Sequence, residues 1–155
     1  MAGKAGRTRA RGTKLPPKTP KSAGVPSSGD QTPLFCFRHA DRTTSQPWAF
    51  RPDAQAAAEL LDFLCEMGRL RWNEIERQQT GGARRRRKHH DQPIGSLDPG
   101  AQADLRKRKL DETFGDEMFR FRLGGTARLW GFRVNRTFHV VWWDPQHQVY
   151  PTETT

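Results

Sequence analysis

Near its C-terminus the chain carries arginines at spacings that suit phosphate chemistry. In "MFRFRL", Phe119, Phe121 and Leu123 alternate with Arg120 and Arg122. On a strand, that period of two puts both guanidinium groups on one face, ~6–7 Å apart. Successive phosphates along a single nucleic-acid strand have a similar spacing. Gly124-Gly125 supplies a turn, and Arg128 opens the next strand, where it can lie beside Arg122. His147 and Tyr150 follow a third strand, in the polar stretch "DPQHQVYP". Guanidinium groups bind phosphate through paired donors and stabilise the charge that builds on it in a transition state. Imidazole exchanges a proton with a ribose hydroxyl or a leaving oxygen. This chemistry needs no metal and no cofactor. The same alternation is also what a half-exposed strand shows. Tyr150 equally suits a core plug, and His147 a turn. The decisive question is whether the fold gathers these five residues.

The elements that must position them are legible in outline. "LFCFRHAD" from Leu34 reads as a short strand, apolar on both faces and so internal to a sheet. Pro47 and Pro52 mark a loop, and Asp53 is placed to cap a helix over "AQAAAELLDFLCEM". Ala57, Leu60, Leu61, Leu64 and Cys65 recur at helical spacing and predict its inner face. Gly68 predicts a stop, and Leu70, Trp72 and Ile75 predict a second, shorter helix that completes a hairpin. Asp98-Pro99 is an N-cap and first-turn pair for a helix with few apolar residues, which reads as a surface helix. From Met118 the period becomes two. Asn135-Arg136 predicts a tight hairpin turn, "TFHVVWWD" a strand apolar on both faces, and Pro145 its end. The fold class expected is α+β. A small antiparallel sheet, formed by the N-terminal strand and the C-terminal three-strand meander, packs against the helical hairpin. A basic loop and surface helix are inserted between hairpin and meander.

Charge points to a polyanionic partner. The 155 residues include 27 Lys+Arg and 17 Asp+Glu, a net charge of +10. Residues 1–33 hold seven basic residues and one acid, with too few large apolar groups to offset ordering entropy, and read as a disordered basic tail. Residues 34–155 then form a single domain. Arg84, Arg85, Arg86, Arg87 and Lys88, with Arg106, Lys107, Arg108 and Lys109, are candidates for nucleic-acid backbone contacts; the other reading is a solvated charge run. His89, Asp91, His139, Asp144 and His147 could compose a metal site only by accident of folding, because their scattered spacing follows no ligand pattern. Cys36 and Cys65 read as buried small hydrophobes rather than a disulfide. No apolar run reaches the ~18 residues of a membrane span, and the N-terminus lacks a secretory hydrophobic region. A cytoplasmic location and no membrane partner are expected.

The stretch "FRFRLGGTARLWGFRVNRTFHVVWWDPQHQVYP" resembles the C-terminal half of the RelE/ParE toxin superfamily. The likeness rests on Arg120 and Arg122 on the first meander strand, Gly124, Gly125 and Arg128 at the turn into the second, and His147 before Val149-Tyr150. It covers residues 118–151 by motif and 34–155 by element order. The resemblance implies the toxin of a type II toxin–antitoxin pair, a small metal-independent endoribonuclease that cuts mRNA at the ribosome. Its partners would be RNA or the ribosome and a cognate antitoxin protein. A sister branch implies the alternative, a non-catalytic nucleic-acid-binding or gyrase-directed module. The chain departs from the family's pattern in its size, in the "ARRRRKHHD" insertion and in "WWDPQH".

Overall fold

A computed structural model describes residues 27–83 and 85–151 of the chain. The expected tail lies outside the described residues up to position 26. From Ser27 the chain is held to the domain: Trp72 N donates to Gln31 O, Asn73 Nδ2 to Asp30 Oδ1, and the Arg136 guanidinium to Thr32.

The fold is α+β, with strands β1 (Leu34–Cys36), β2 (His90–Pro93), β3 (Glu117–Arg122), β4 (Arg128–Val134) and β5 (Thr137–Asp144). The helices are α1 (Ala54–Met67), α2 (Trp72–Arg77), α3 (Pro99–Lys107) and α4 (Leu110–Phe114). The five strands form one sheet in the order β1-β5-β4-β3-β2. It is mixed rather than antiparallel throughout, because β1 runs parallel to β5. β1 is also an edge strand, not an internal one. β2 has no hydrophobic period and ends in proline. It exists as an edge strand because it pairs with β3, not through its own propensity.

The caps form where the sequence places them. The Asp53 carboxylate accepts from Ala56 N at 2.8 Å, and the Asp98 carboxylate from Gly100 N at 2.8 Å. The inner face of α1 is rotated from the expected one: Leu60, Leu64 and Met67 are buried, while Leu61 and Cys65 face out. Cys36 is half-buried, and both thiols are free.

The helix α3 is not a surface helix. Ala101 and Leu105 are fully buried against Met118, Trp130, Phe132 and Trp142. The sheet is therefore covered on both faces. The helices α1 and α2 pack on Phe119, Phe121, Leu129, Phe138 and Val140. Helices α3 and α4 pack on the opposite face. Each fully buried aromatic contributes roughly 1.5–3 kcal/mol by area removed from water. Among the described residues, no helix is long and apolar enough to cross a membrane.

One irregularity decides where the end of β5 points. Trp130 pairs with Trp142 and Gly131 with Val140, so Val141 is an extra residue in a β-bulge. Strict alternation from Phe138 and Val140 would send Trp142 and Asp144 toward α1. The bulge instead places Val141 and Trp142 in the α3-side core and Trp143 in the α1-side core. Asp144 is thereby carried onto the face of Trp130, to whose indole it is hydrogen-bonded.

Candidate active site

Directly opposed residues on neighbouring strands share a face. One such row is His90, Arg120, Trp130 and Trp142; the next is Arg122, Arg128 and Asp144. Both lie on the α3 side, at the end of the sheet where the cover opens. There Arg120, Arg122, Arg128, His147 and Tyr150 all line one cleft of about 700 Å³. The fold thus gathers the five residues grouped from the sequence. It adds His90, Gln92, Thr80, Thr126 and Gln146, together with Arg86 and Arg87 from the basic loop.

Arg120 and Arg128 are buried, 8% and 6% exposed. Among the described residues, neither is ion-paired with a carboxylate. Arg120 Nη2 donates to His90 Nε2 at 2.9 Å, and its Nη1 lies 3.5 Å from His147 Nε2. Arg128 Nη1 donates to the carbonyls of Gly125 and Ala127 at 3.0 and 2.9 Å, across a turn in which Gly125 takes φ 63°. The Nε–H of each arginine is buried without a protein acceptor among the described residues. Among the described residues the one ion pair, Arg133 with Glu76, lies away from the cleft lining. Burial lowers both guanidinium pKa values to about 10, aided by Arg122 at Arg120 and by Arg120 and Arg122 at Arg128, where Asp144 pulls weakly the other way. At neutral pH both remain cationic, with donors free for an anion.

His147 reaches the cleft through a tight turn. Asp144 is fully buried, and its carboxylate accepts from Gln148 N (2.8 Å), Val149 N (2.9 Å) and Trp130 Nε1 (3.3 Å). Thr126 Oγ1 donates to Pro145 O, tying this turn to the glycine turn. His147 sits at φ 57°, a left-handed conformation sustained by that network. Burial first, then Arg128 and Arg120, lowers its pKa below 6.5. It is therefore a neutral proton acceptor at pH 7. The Tyr150 ring packs against the α3-side core, 6.4 Å from the His147 ring. Asp144→Ala strands three donors, two of them buried, and is expected to cost about 2–4 kcal/mol. It should also depress any activity that needs His147. Denaturant melts and rate measurements on the same variant check both effects.

The basic insertion divides in two. Gln79 bridges to Arg87, and Lys88 N donates to Gln78 O, so the loop returns along itself and presents Arg86 and Arg87 to the cleft. Arg85 is exposed outside the lining, Lys88 is half-buried beside Arg122, and Arg84 lies outside the described residues. Arg106, Lys107 and Lys109 are exposed at the far end of α3. That helix begins where Asp98 N donates to Val149 O and ends where Arg108 donates to His39 O. None of Arg106, Lys107 and Lys109 lines the cleft.

His89 and His90, adjacent in sequence, do different things. His89 is fully buried. Its Nδ1 accepts from Arg122 N at 3.0 Å, and its Nε2 donates to Gln78 Oε1 at 3.0 Å. It pins the basic loop to β3. Burial lowers its pKa from 6.5 to about 3. A pKa lowered by folding gives stability that is full above the unfolded value and is lost as pH falls toward the folded one. From pH 7.5 to pH 4.5, His89 alone should remove about 2–3 kcal/mol. Denaturation at the two pH values checks this, and His89→Gln should shrink the difference. No group of three or more metal-ligating side chains is gathered among the described residues.

Comparisons with protein-family models, with curated proteins and with solved structures return no match. The functional reading therefore rests on the geometry of the cleft.

Proposed function

We propose that the chain is a metal-independent endoribonuclease of RelE-like fold that cuts mRNA, acting as the toxin of a toxin–antitoxin pair in the cytoplasm, at the ribosome. What supports this reading is one arrangement. Three arginines, two of them buried and without an ion pair among the described residues, share a cleft with a neutral imidazole and a phenol. Those groups suffice for RNA cleavage in which the substrate supplies its own nucleophile. His147 takes the proton of a ribose 2′-hydroxyl, and the 2′-oxygen attacks the adjacent phosphorus. Arg120 and Arg128 hold the non-bridging oxygens as negative charge builds on them. The P–O5′ bond breaks, and the leaving oxygen takes the Tyr150 hydroxyl proton. The products are a 2′,3′-cyclic phosphate and a 5′-hydroxyl; the proton on His147 returns to the Tyr150 oxygen through solvent. Arg86 and Arg87 extend the positive surface along the neighbouring backbone.

Expression of the full chain from a tightly controlled promoter tests the reading. Growth should arrest, transcripts should be cut, and Arg128→Ala and His147→Ala should relieve both effects. Full toxicity in both variants would refute the catalytic assignment. Association with nucleic acid and growth arrest without cut products would indicate the non-catalytic or gyrase-directed alternative.

A further inference from the structure

The contact that orients Arg120 is chemically unusual for a buried guanidinium. Such groups are ordinarily held by carboxylates, which fix them and also cancel their charge. Here the partner is an imidazole. A guanidinium only donates, so His90 Nε2 accepts the 2.9 Å bond from Arg120 Nη2. The proton of His90 therefore sits on Nδ1, which donates to Asp91 O at 2.9 Å. That bond locks both the tautomer and the ring. Direct opposition of His90 and Arg120 across β2 and β3 brings the two side chains together. The arrangement gives the edge strand β2, otherwise polar and short, a reason to begin where it does.

We propose that His90 is a positioning residue: a neutral acceptor that aims Arg120 into the cleft while leaving its positive charge available to a bound phosphodiester. The proposal rests on reading the cleft as a phosphate site, and it is independent of whether RNA is cut there. It predicts an ordering that a purely structural role does not. His90→Gln offers a neutral acceptor in nearly the same place and should bind within about threefold of wild type. His90→Ala leaves Arg120 unaimed and should weaken binding about tenfold. His90→Glu also aims Arg120, through an ion pair, but cancels its charge. It should weaken binding about a hundredfold while melting no lower than His90→Gln.

The test is the affinity of the full chain and these variants for a short RNA with methylated 2′-hydroxyls, which cannot be cut, read by fluorescence anisotropy beside thermal melts. The ordering Gln, Ala, Glu from tightest to weakest supports the proposal. His90→Glu binding as well as His90→Gln would overturn it, as would His90→Ala binding like wild type or His90→Gln binding as poorly as His90→Ala. Should His90→Ala fail to fold, the comparison of Gln with Glu decides alone. Cleavage of unmodified RNA is scored separately. The predicted ordering without cleavage would refute the nuclease reading and leave His90's role standing. No binding by the wild-type chain would overturn the phosphate site and the proposal together.

Discussion

Arg120→Ala is expected to lower the rate of RNA cleavage by about two to three orders of magnitude and to leave the protein as stable as before, or more so. The two effects have one cause. Arg120 is buried, and among the described residues no carboxylate lies against it and its Nε–H has no protein acceptor. A cation whose pKa falls to about 10 on folding destabilises the folded state at neutral pH, by roughly 3 kcal/mol. Removing it relieves that cost and loses the bond to His90, which offsets part of the gain. On the proposed reading, the same uncompensated charge faces the oxygens on which negative charge builds in the transition state, so the penalty in the free protein becomes binding energy. Arg128 has the same character and should behave alike, while half-buried Arg122 should cost less. Single-turnover cleavage and a thermal melt on one sample separate the effects. An Arg120→Ala protein that melts far below wild type would show the guanidinium to be structural.

Gly131→Ala is expected to unfold the protein or destabilise it by more than about 4 kcal/mol, far beyond the usual cost of a methyl group. A Cβ at this position would lie 2.1 Å from His139 O and 2.7 Å from Phe138 Cζ. The first is backbone of the neighbouring strand and cannot rotate aside. The only relief is to separate β4 from β5 at the bulge. That separation would also undo the change of face that brings Asp144, and through it His147, onto the side of Arg120 and Arg128. A partly folded Gly131→Ala protein should therefore lose cleavage more severely than its residual structure suggests. Circular dichroism and urea titration measure the stability. A variant as stable as wild type would contradict the bulge geometry.

The parts of the fold legible in the sequence are those set by local chemistry. Asp53 and Asp98 cap their helices, Asn135 takes φ 54° in the β4–β5 turn, and the period of two in "MFRFRL" puts Arg120 and Arg122 on one face. What was missed depends on partners distant in sequence. β2 has no apolar period of its own; only β3 makes it a strand. The role of His90 was invisible for the same reason, because its partner lies 30 residues away. The helix α3 looked superficial because its apolar residues are few, yet two small contacts, Ala101 and Leu105, suffice to seat it on the second face of the sheet. "TFHVVWWD" is apolar on both faces, so its alternation gave no sign of the bulge. The arginines and His147 could be grouped from their chemistry, but that His147 joins the arginines' face depends on an extra residue, Val141.

The central claim is that the cleft cuts RNA by using the substrate's own 2′-hydroxyl. The most direct measurement is the chemistry of the cut ends. Purified full chain is incubated with RNA, with and without ribosomes, in excess chelator, and the fragment termini are identified by mass spectrometry. The account predicts 2′,3′-cyclic phosphate or its hydrolysed 3′-phosphate on one fragment and a 5′-hydroxyl on the other, formed by Arg120→Ala at least about a hundredfold more slowly. Fragments carrying 3′-hydroxyl and 5′-phosphate ends, or intact RNA under both conditions, would contradict it.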